Sequence, residues 1–134
     1  MKRCLLTVLA VTVLWSLMDM LIHGVILMST YIETAELWRP MDEMKNGLMS
    51  VVTLLLSASF VALFSKFSSR KCPKSGALFG LIYGLGAGIS VGYGTYCFMP
   101  IPYSLALGWF LAYAVKATAA GALAGLILKE DGDA

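Results

Sequence analysis

Residues 4–28 read CLLTVLAVTVLWSLMDMLIHGVILM, an apolar run interrupted by one carboxylate, Asp19, and one imidazole, His23. A run of about 18 or more residues with almost no charge is typical of a helix that crosses a bilayer, whose hydrocarbon core takes about 20 residues. No Ala-x-Ala-like cleavage site follows the run, so we interpret it as a retained span and not as a signal peptide.

Three further apolar runs follow this one. The four spans are predicted at about residues 4–28, 48–64, 76–98 and 104–128. The chain is 59% hydrophobic and only 13% charged, whereas soluble domains carry roughly a quarter charged residues. Short connections make successive spans antiparallel. The sequence therefore predicts an all-α integral membrane four-helix bundle, a single transmembrane domain over residues 1–134.

The basic residues are distributed unevenly between the two sides of this bundle. One side carries Lys2, Arg3, Lys66, Arg70, Lys71, Lys74 and Lys129, and the other carries Arg39 and Lys45. Because cytoplasmic loops are enriched in Lys and Arg, both termini are expected in the cytoplasm and residues 29–47 outside. The expected location is a bacterial cytoplasmic (inner) membrane, with lipid as the immediate partner.

The outer segment between spans 1 and 2 has a pattern of its own. An apolar residue recurs at every third position, at Ile32, Ala35, Trp38, Met41 and Met44, and acidic residues occupy the other edge. This pattern is typical of a segment that lies in the membrane interface. Tyr31 and Trp38 are predicted to be aromatic anchors at headgroup depth. The alternative is a solvated loop that merely lacks basic residues.

Small residues repeat at every fourth position in spans 3 and 4. They are Gly76, Gly80, Gly84, Gly88 and Gly92 in span 3, and Ala117, Gly121 and Gly125 in span 4. Such a stripe lets a neighbouring backbone approach closely, so these glycines are predicted to form a glycine zipper that packs helices. The sequence leaves open whether the partner surface belongs to the same chain or to a second copy.

Four polar residues of span 1 share a helix face, because Thr12, Ser16, Asp19 and His23 are spaced by 4, 3 and 4 residues. A carboxylate inside hydrocarbon has to be neutral, paired or hydrated. Lys116 of span 4 lies within roughly 6 Å of the depth of Asp19, at about 1.5 Å per residue. We therefore predict an Asp19–Lys116 ion pair, with His23 one turn further out.

This intramembrane polar site has two interpretations. As a structural pair it fixes the register of two helices, and the small volume of a four-helix bundle favours this interpretation. As a functional site, Asp19 and His23 form a short chain of proton-accepting groups.

Other chemistry is not indicated by the sequence. Met18, Met20, Met28 and His23 suggest a soft metal such as copper, but Met18 and Met20 project in different directions on a helix. No nucleophile with an adjacent base, phosphate loop, dinucleotide fingerprint or zinc spacing is present. We expect no enzyme activity, no metal, no cofactor and no nucleic-acid partner.

The segments His23–Leu27, Leu37–Pro40 and Glu43–Met44, together with Tyr31 and Thr34–Ala35, resemble small four-span bacterial membrane proteins of uncharacterised function. That resemblance implies a fold and carries no catalytic residue. Small multidrug transporters share the size and a carboxylate in the first helix. The one-sided basic residues and the lysine counter-ion differ from that family, so the chain is not assigned to it.

Two functions are compatible with these patterns. The first is a non-enzymatic accessory or scaffold subunit of a membrane complex that acts through helix–helix contacts. The alternative is an oligomeric proton-linked transporter or ion channel that uses Asp19, His23 and Lys116. A homo-oligomer or a larger membrane complex is expected in either case.

The predicted topology is testable with a membrane-impermeant maleimide on intact cells. In a chain that keeps only Cys72, this thiol is expected to be protected until the cells are permeabilised. In a cysteine-free chain carrying Asp42→Cys, the new thiol is expected to react without permeabilisation. The opposite labelling pattern would invert the topology.

Overall fold

The computed structural model describes residues 2–129, and this part of the chain is helical without any strand. The elements are α1 (Lys2–Leu21) with a π-helical continuation (Ile22–Ile26), α2 (Met28–Glu33), two 3₁₀ turns (Ala35–Leu37 and Met41–Glu43), α3 (Asn46–Phe67), α4 (Pro73–Gly88) with a π-helical continuation (Ile89–Gly94), and α5 (Tyr103–Ile127). The two π-helical segments both follow the direction of the helix they extend.

Four helices are long and apolar enough to cross a membrane, which confirms the predicted helical class and the number of candidate spans. They cover Lys2–Ile26, Asn46–Phe67, Pro73–Gly94 and Tyr103–Ile127. The third was predicted to continue to Phe98, but the chain turns earlier, where the Cys97 backbone N–H donates to the Gly94 carbonyl at 3.2 Å. Pro100 and Pro102 then lead into α5.

The start of α4 is fixed by local chemistry. Pro73 occupies the first helical position, where its missing N–H costs nothing. The Ser75 hydroxyl accepts a hydrogen bond from the Cys72 backbone N–H at 3.2 Å, which satisfies one donor ahead of the helix. Hydrogen bonds from the Ser75 backbone and hydroxyl lower the pKa of the Cys72 thiol.

The closest helix pair is α4 with α5, and the repeated glycines lie between them. A Cβ added at Gly84 would lie 2.6 Å from the Tyr113 carbonyl oxygen, and one at Gly88 would lie 2.8 Å from that of Phe110. The glycines facing the partner helix are Gly76, Gly80, Gly84, Gly88 and Gly92 on one side and Gly121 and Gly125 on the other. Within a single chain, α5 therefore covers the glycine stripe of α4.

The main core lies in the half of the bundle nearest the connection between α3 and α4. It contains Val11 and Trp15 of α1, Phe60, Val61 and Phe64 of α3, and Ala117, Ala120, Ala124 and Leu128 from α5 and its end. Phe60 joins three helices, since its ring centroid lies 5.3 Å from that of Trp15 and 5.1 Å from that of Tyr83. Edge-to-face contacts between aromatic rings stabilise this core beyond the effect of burying apolar surface.

The first half of α3 takes no part in this core. Residues 46–55 are exposed except for the partly buried Thr53, and they include Leu48, Met49 and Leu55. The buried positions of α3 are Ser57, Phe60, Val61 and Phe64, all in its second half. At the end of the bundle that carries residues 29–47, the packing consequently depends on α1, α4 and α5.

Substitution of α4 glycines tests this packing. We expect Gly80→Ala to destabilise the protein by about 1–3 kcal/mol, the usual range for overpacking, because its Cβ would lie 2.6 Å from the Ala117 carbonyl carbon. Gly86→Ala is the matched control, since nothing lies within 4 Å of its added Cβ and alanine favours a helix. Thermal unfolding in mild detergent would measure both, and equal unfolding temperatures would contradict the packing.

Candidate polar site between α1 and α5

Asp19 and Lys116 form an ion pair that joins α1 to α5. The Lys116 ammonium donates to Asp19 Oδ1. The Lys116 side chain is 11% exposed and the Asp19 side chain 33% exposed, so the lysine is the deeper of the two. The structure thus brings together the acid and the base that the sequence selects, and their pairing removes the net charge from the helix interface.

Aromatic rings surround the lysine. Its ammonium lies 5.4 Å from the ring centroid of Tyr113 and 5.9 Å from that of Trp15, within the range of cation–π attraction. The Trp15 indole N–H also donates to the Lys116 backbone carbonyl at 3.1 Å. Because Trp15 precedes Asp19 by one helical turn, α1 holds Lys116 through two residues of the same face.

His23 continues the polar site toward the outer segment. Its Nε2 lies 3.6 Å from Asp19 Oδ1, and its Nδ1 lies 2.6 Å from the Tyr31 hydroxyl. The Trp109 indole N–H donates to the same hydroxyl at 2.7 Å. Tyr31 therefore has its hydroxyl proton available for Nδ1, which favours the histidine tautomer whose proton is on Nε2, facing Asp19.

Tyr31 remains protonated in this arrangement. Burial raises the pKa of its hydroxyl, the hydrogen bond from Trp109 lowers it, and the Asp19 carboxylate raises it. The outcome is a pKa above the ordinary value, so at neutral pH the hydroxyl keeps the proton that it shares with His23.

Two residues of the predicted polar face, Thr12 and Ser16, show no hydrogen bond to the ion pair within residues 2–129. The Thr12 hydroxyl donates to the Val8 carbonyl of its own helix at 2.8 Å, and Ser16 is exposed. The buried face of α1 follows Thr7, Val11 and Trp15 and reaches Asp19 at its edge. Ser16 lies past that edge and is exposed.

Tyr31 and Trp38, the predicted headgroup anchors, also make contacts within the protein. Both side chains are half-buried, and their ring centroids lie 5.4 Å apart. The ring centroid of Trp38 lies 6.1 Å from that of Trp109. The Trp38 indole N–H donates to the Thr34 hydroxyl at 2.9 Å. The polar atoms of both rings are thus engaged within the protein, because the outer segment folds over the start of α5.

A pocket of about 220 Å³ that is open on one side, called the cavity below, adjoins the ion pair. Its lining residues are His23, Val91, Trp109, Ala112, Tyr113 and Lys116. A void of about 10 Å³ lies on the other side of the lysine, lined in part by Trp15 and Tyr83. The larger cavity has the volume of about seven water molecules at about 30 Å³ each, so it admits several waters or one small solute.

Backbone irregularities contribute to the walls of this cavity. His23 belongs to the π-helical segment of the first span and Val91 to that of the third. π-helical turns within α-helices occur frequently at functional sites. Trp109, Ala112, Tyr113 and Lys116, by contrast, follow the spacing of three, four and seven residues that places side chains on one helix face. That spacing is the signal by which Trp109, Ala112 and Tyr113 could have been found from Lys116.

Around the site and elsewhere in residues 2–129, no three His, Cys, Asp or Glu side chains converge in a group that would hold a metal ion. Comparison of the chain with protein-family models, with curated proteins and with solved structures gives no match. The function is therefore argued from the geometry of the site.

The shared hydroxyl of Tyr31 gives a testable prediction. Tyr31→Phe keeps the ring but leaves the Trp109 N–H and His23 Nδ1 without their common partner, and we expect a loss of about 1–3 kcal/mol in stability, the usual cost of an unpaired buried group. Tyr103→Phe is the matched control, because it removes a hydroxyl pair with Tyr93 that is exposed. Chemical unfolding in detergent would compare the two variants. An equal loss in both would contradict a special role for Tyr31.

Proposed function

We propose that this protein is a proton-linked membrane transporter and that Asp19, His23 and Lys116 form its binding and proton-transfer site. The observation that carries the proposal is the cavity of about 220 Å³ lined by His23 and Lys116. The sequence favours a structural ion pair mainly because four short helices leave little internal volume. A pocket that opens beside the charges offers volume outside the packed core, and intramembrane ionisable residues are functional candidates by default.

The hydrogen-bond geometry supports a proton route to Asp19. Tyr31 lies in the outer segment, its hydroxyl contacts His23 Nδ1 at 2.6 Å, and His23 Nε2 faces Asp19 at 3.6 Å. The second distance exceeds a hydrogen bond, so transfer requires a small movement of the ring or one intervening water. The adjoining cavity provides room for either.

Protonation of Asp19 would change the state of the site. The carboxylate is the charge partner of Lys116, and neutralising it leaves the ammonium free to bind another group. This links the proton to whatever occupies the cavity, which is the requirement for coupled transport. We place this activity in a bacterial inner membrane, with both termini cytoplasmic and the Tyr31 end of the route facing outward.

A second candidate function is an accessory subunit of a larger membrane complex. The exposed first half of α3 favours it, since residues 46–55 are exposed except for the partly buried Thr53. In that case a helix of a partner or of a second copy would cover this surface. A stable partner that co-purifies in mild detergent would support this function.

Flux measurements in proteoliposomes test the proposed function. Proton entry is followed with an entrapped pH-sensitive dye, without solute and with a panel of small organic anions, amines and neutral solutes outside. We expect at least one condition in which wild type exceeds protein-free liposomes, and we expect Asp19→Asn and Lys116→Met to abolish that excess because each removes one partner of the ion pair.

Matched variants control for loss of a charge elsewhere. Asp42→Asn and Lys66→Met change the same residue types at exposed positions outside the site, and both are expected to retain the wild-type flux. Equal flux in wild type, Asp19→Asn and Lys116→Met under every condition would refute the transporter and favour the accessory function.

A further inference from the structure

The charged groups are arranged asymmetrically around the cavity. Lys116 and His23 are part of its lining, whereas Asp19 is not. The carboxylate approaches the ammonium from α1, so the cavity is lined by the lysine side of the pair. A solute that enters therefore meets an ammonium with donors to spare, since Lys116 has three N–H groups. This favours an anionic group on the solute.

The other walls favour a short apolar group. Val91 and Ala112 are aliphatic, and Trp109 and Tyr113 present ring surface. The Trp109 N–H is already used on Tyr31, so that indole offers mainly apolar contact. Drug-sized ligands occupy pockets of about 300–1,000 Å³. The cavity of about 220 Å³ is smaller and suits a compact solute.

We infer that the substrate class of this site is a small monocarboxylate with a short apolar chain, which replaces Asp19 on Lys116 when Asp19 accepts a proton. The inference rests on the proposed function and names the solute that the proton accompanies. Asp19 takes up one proton and becomes neutral, and the carboxylate of the solute accepts the hydrogen bond that Lys116 had donated to Asp19. Release reverses both steps.

The charge balance explains why the two events are coupled. Before binding, the site holds one positive and one negative charge; after binding, the solute supplies the negative charge and Asp19 none. A carboxylate that entered without a proton would add an unpaired charge to an apolar interior, which is costly. One proton therefore accompanies one carboxylate, and their joint movement carries no net charge.

Several groups face Asp19 and belong to this exchange. They are His23 on its own helix, Lys116 and Tyr113 of α5, and Tyr31 of the outer segment. Lys116 is also close to Tyr83 of α4, since both line the smaller void. Because His23 titrates as well, its contribution has to be separated from that of Asp19.

Binding measurements on the full-length protein in phosphatidylcholine nanodiscs test the inference independently of transport. Isothermal titration calorimetry with butyrate, butylamine and butanol is expected to show binding of butyrate alone. Its affinity should weaken as pH rises, by up to about tenfold per pH unit, because one proton binds with each carboxylate. Preferred binding of butylamine or butanol would overturn the assigned class.

Variants separate the individual roles. Asp19→Asn is expected to bind butyrate with an affinity that no longer depends on pH, while His23→Gln keeps the dependence. Lys116→Met should lose binding. If the affinity of Asp19→Asn still depended on pH, butyric acid itself would carry the proton. If only His23→Gln lost the pH dependence, His23 would carry it. Either result would overturn the exchange.

A cavity-filling variant keeps the test independent of folding. Ala112→Leu occupies the cavity and leaves the ion pair in place, so it should abolish butyrate binding with an unchanged thermal unfolding temperature. Val115→Leu, on the exposed surface of α5, should bind as wild type does. Full binding by Ala112→Leu would overturn the location of the site.

The two proposals fail in different ways. Amines or neutral solutes could drive a proton flux that depends on Asp19, while butyrate does not bind. This result would support the transporter and refute the substrate class. Absence of flux under every condition, with butyrate bound as expected, would refute transport and leave a carboxylate-binding site.

Discussion

The ion pair between Asp19 and Lys116 is the constraint on which the relation of α1 to α5 depends. Neither charge is tolerated alone among apolar helices, so the two helices have to meet at the register that joins them. Trp15 strengthens this register, because its indole N–H binds the Lys116 carbonyl and its ring lies beside the ammonium. The second span is held in the bundle by a different force, the aromatic core around Phe60.

Four residues of α5 line the cavity, and α5 packs closely against α4. Glycines at the interface let the backbones of α4 and α5 approach closely over the length of α4. The cavity lies beside the π-helical segment that follows α1, and His23 of this segment is part of its lining. Small residues at this level, Val91 and Ala112, leave space that larger side chains would fill.

The bundle therefore has its main core at one end and a smaller buried cluster at the other. Its main core contains Phe60, Phe64 and the α5 alanines, while the polar groups lie nearer the end covered by residues 29–47. The hydrogen bonds of Tyr31 connect that segment to both α1 and α5.

The sequence by itself determined the four apolar helices, the glycine stripe and the choice of Asp19 and Lys116 as partners, because span length, fourfold spacing and the cost of a lone charge are local or one-dimensional constraints. Only the tertiary structure decided that Ser16 is exposed, that Tyr31 and Trp38 bond within the protein and that a cavity adjoins Lys116. Those features depend on where the buried face of α1 ends and how the outer segment packs on α5. Both features result from contacts between residues that are far apart in the chain, and the periodicity of the sequence does not indicate such contacts.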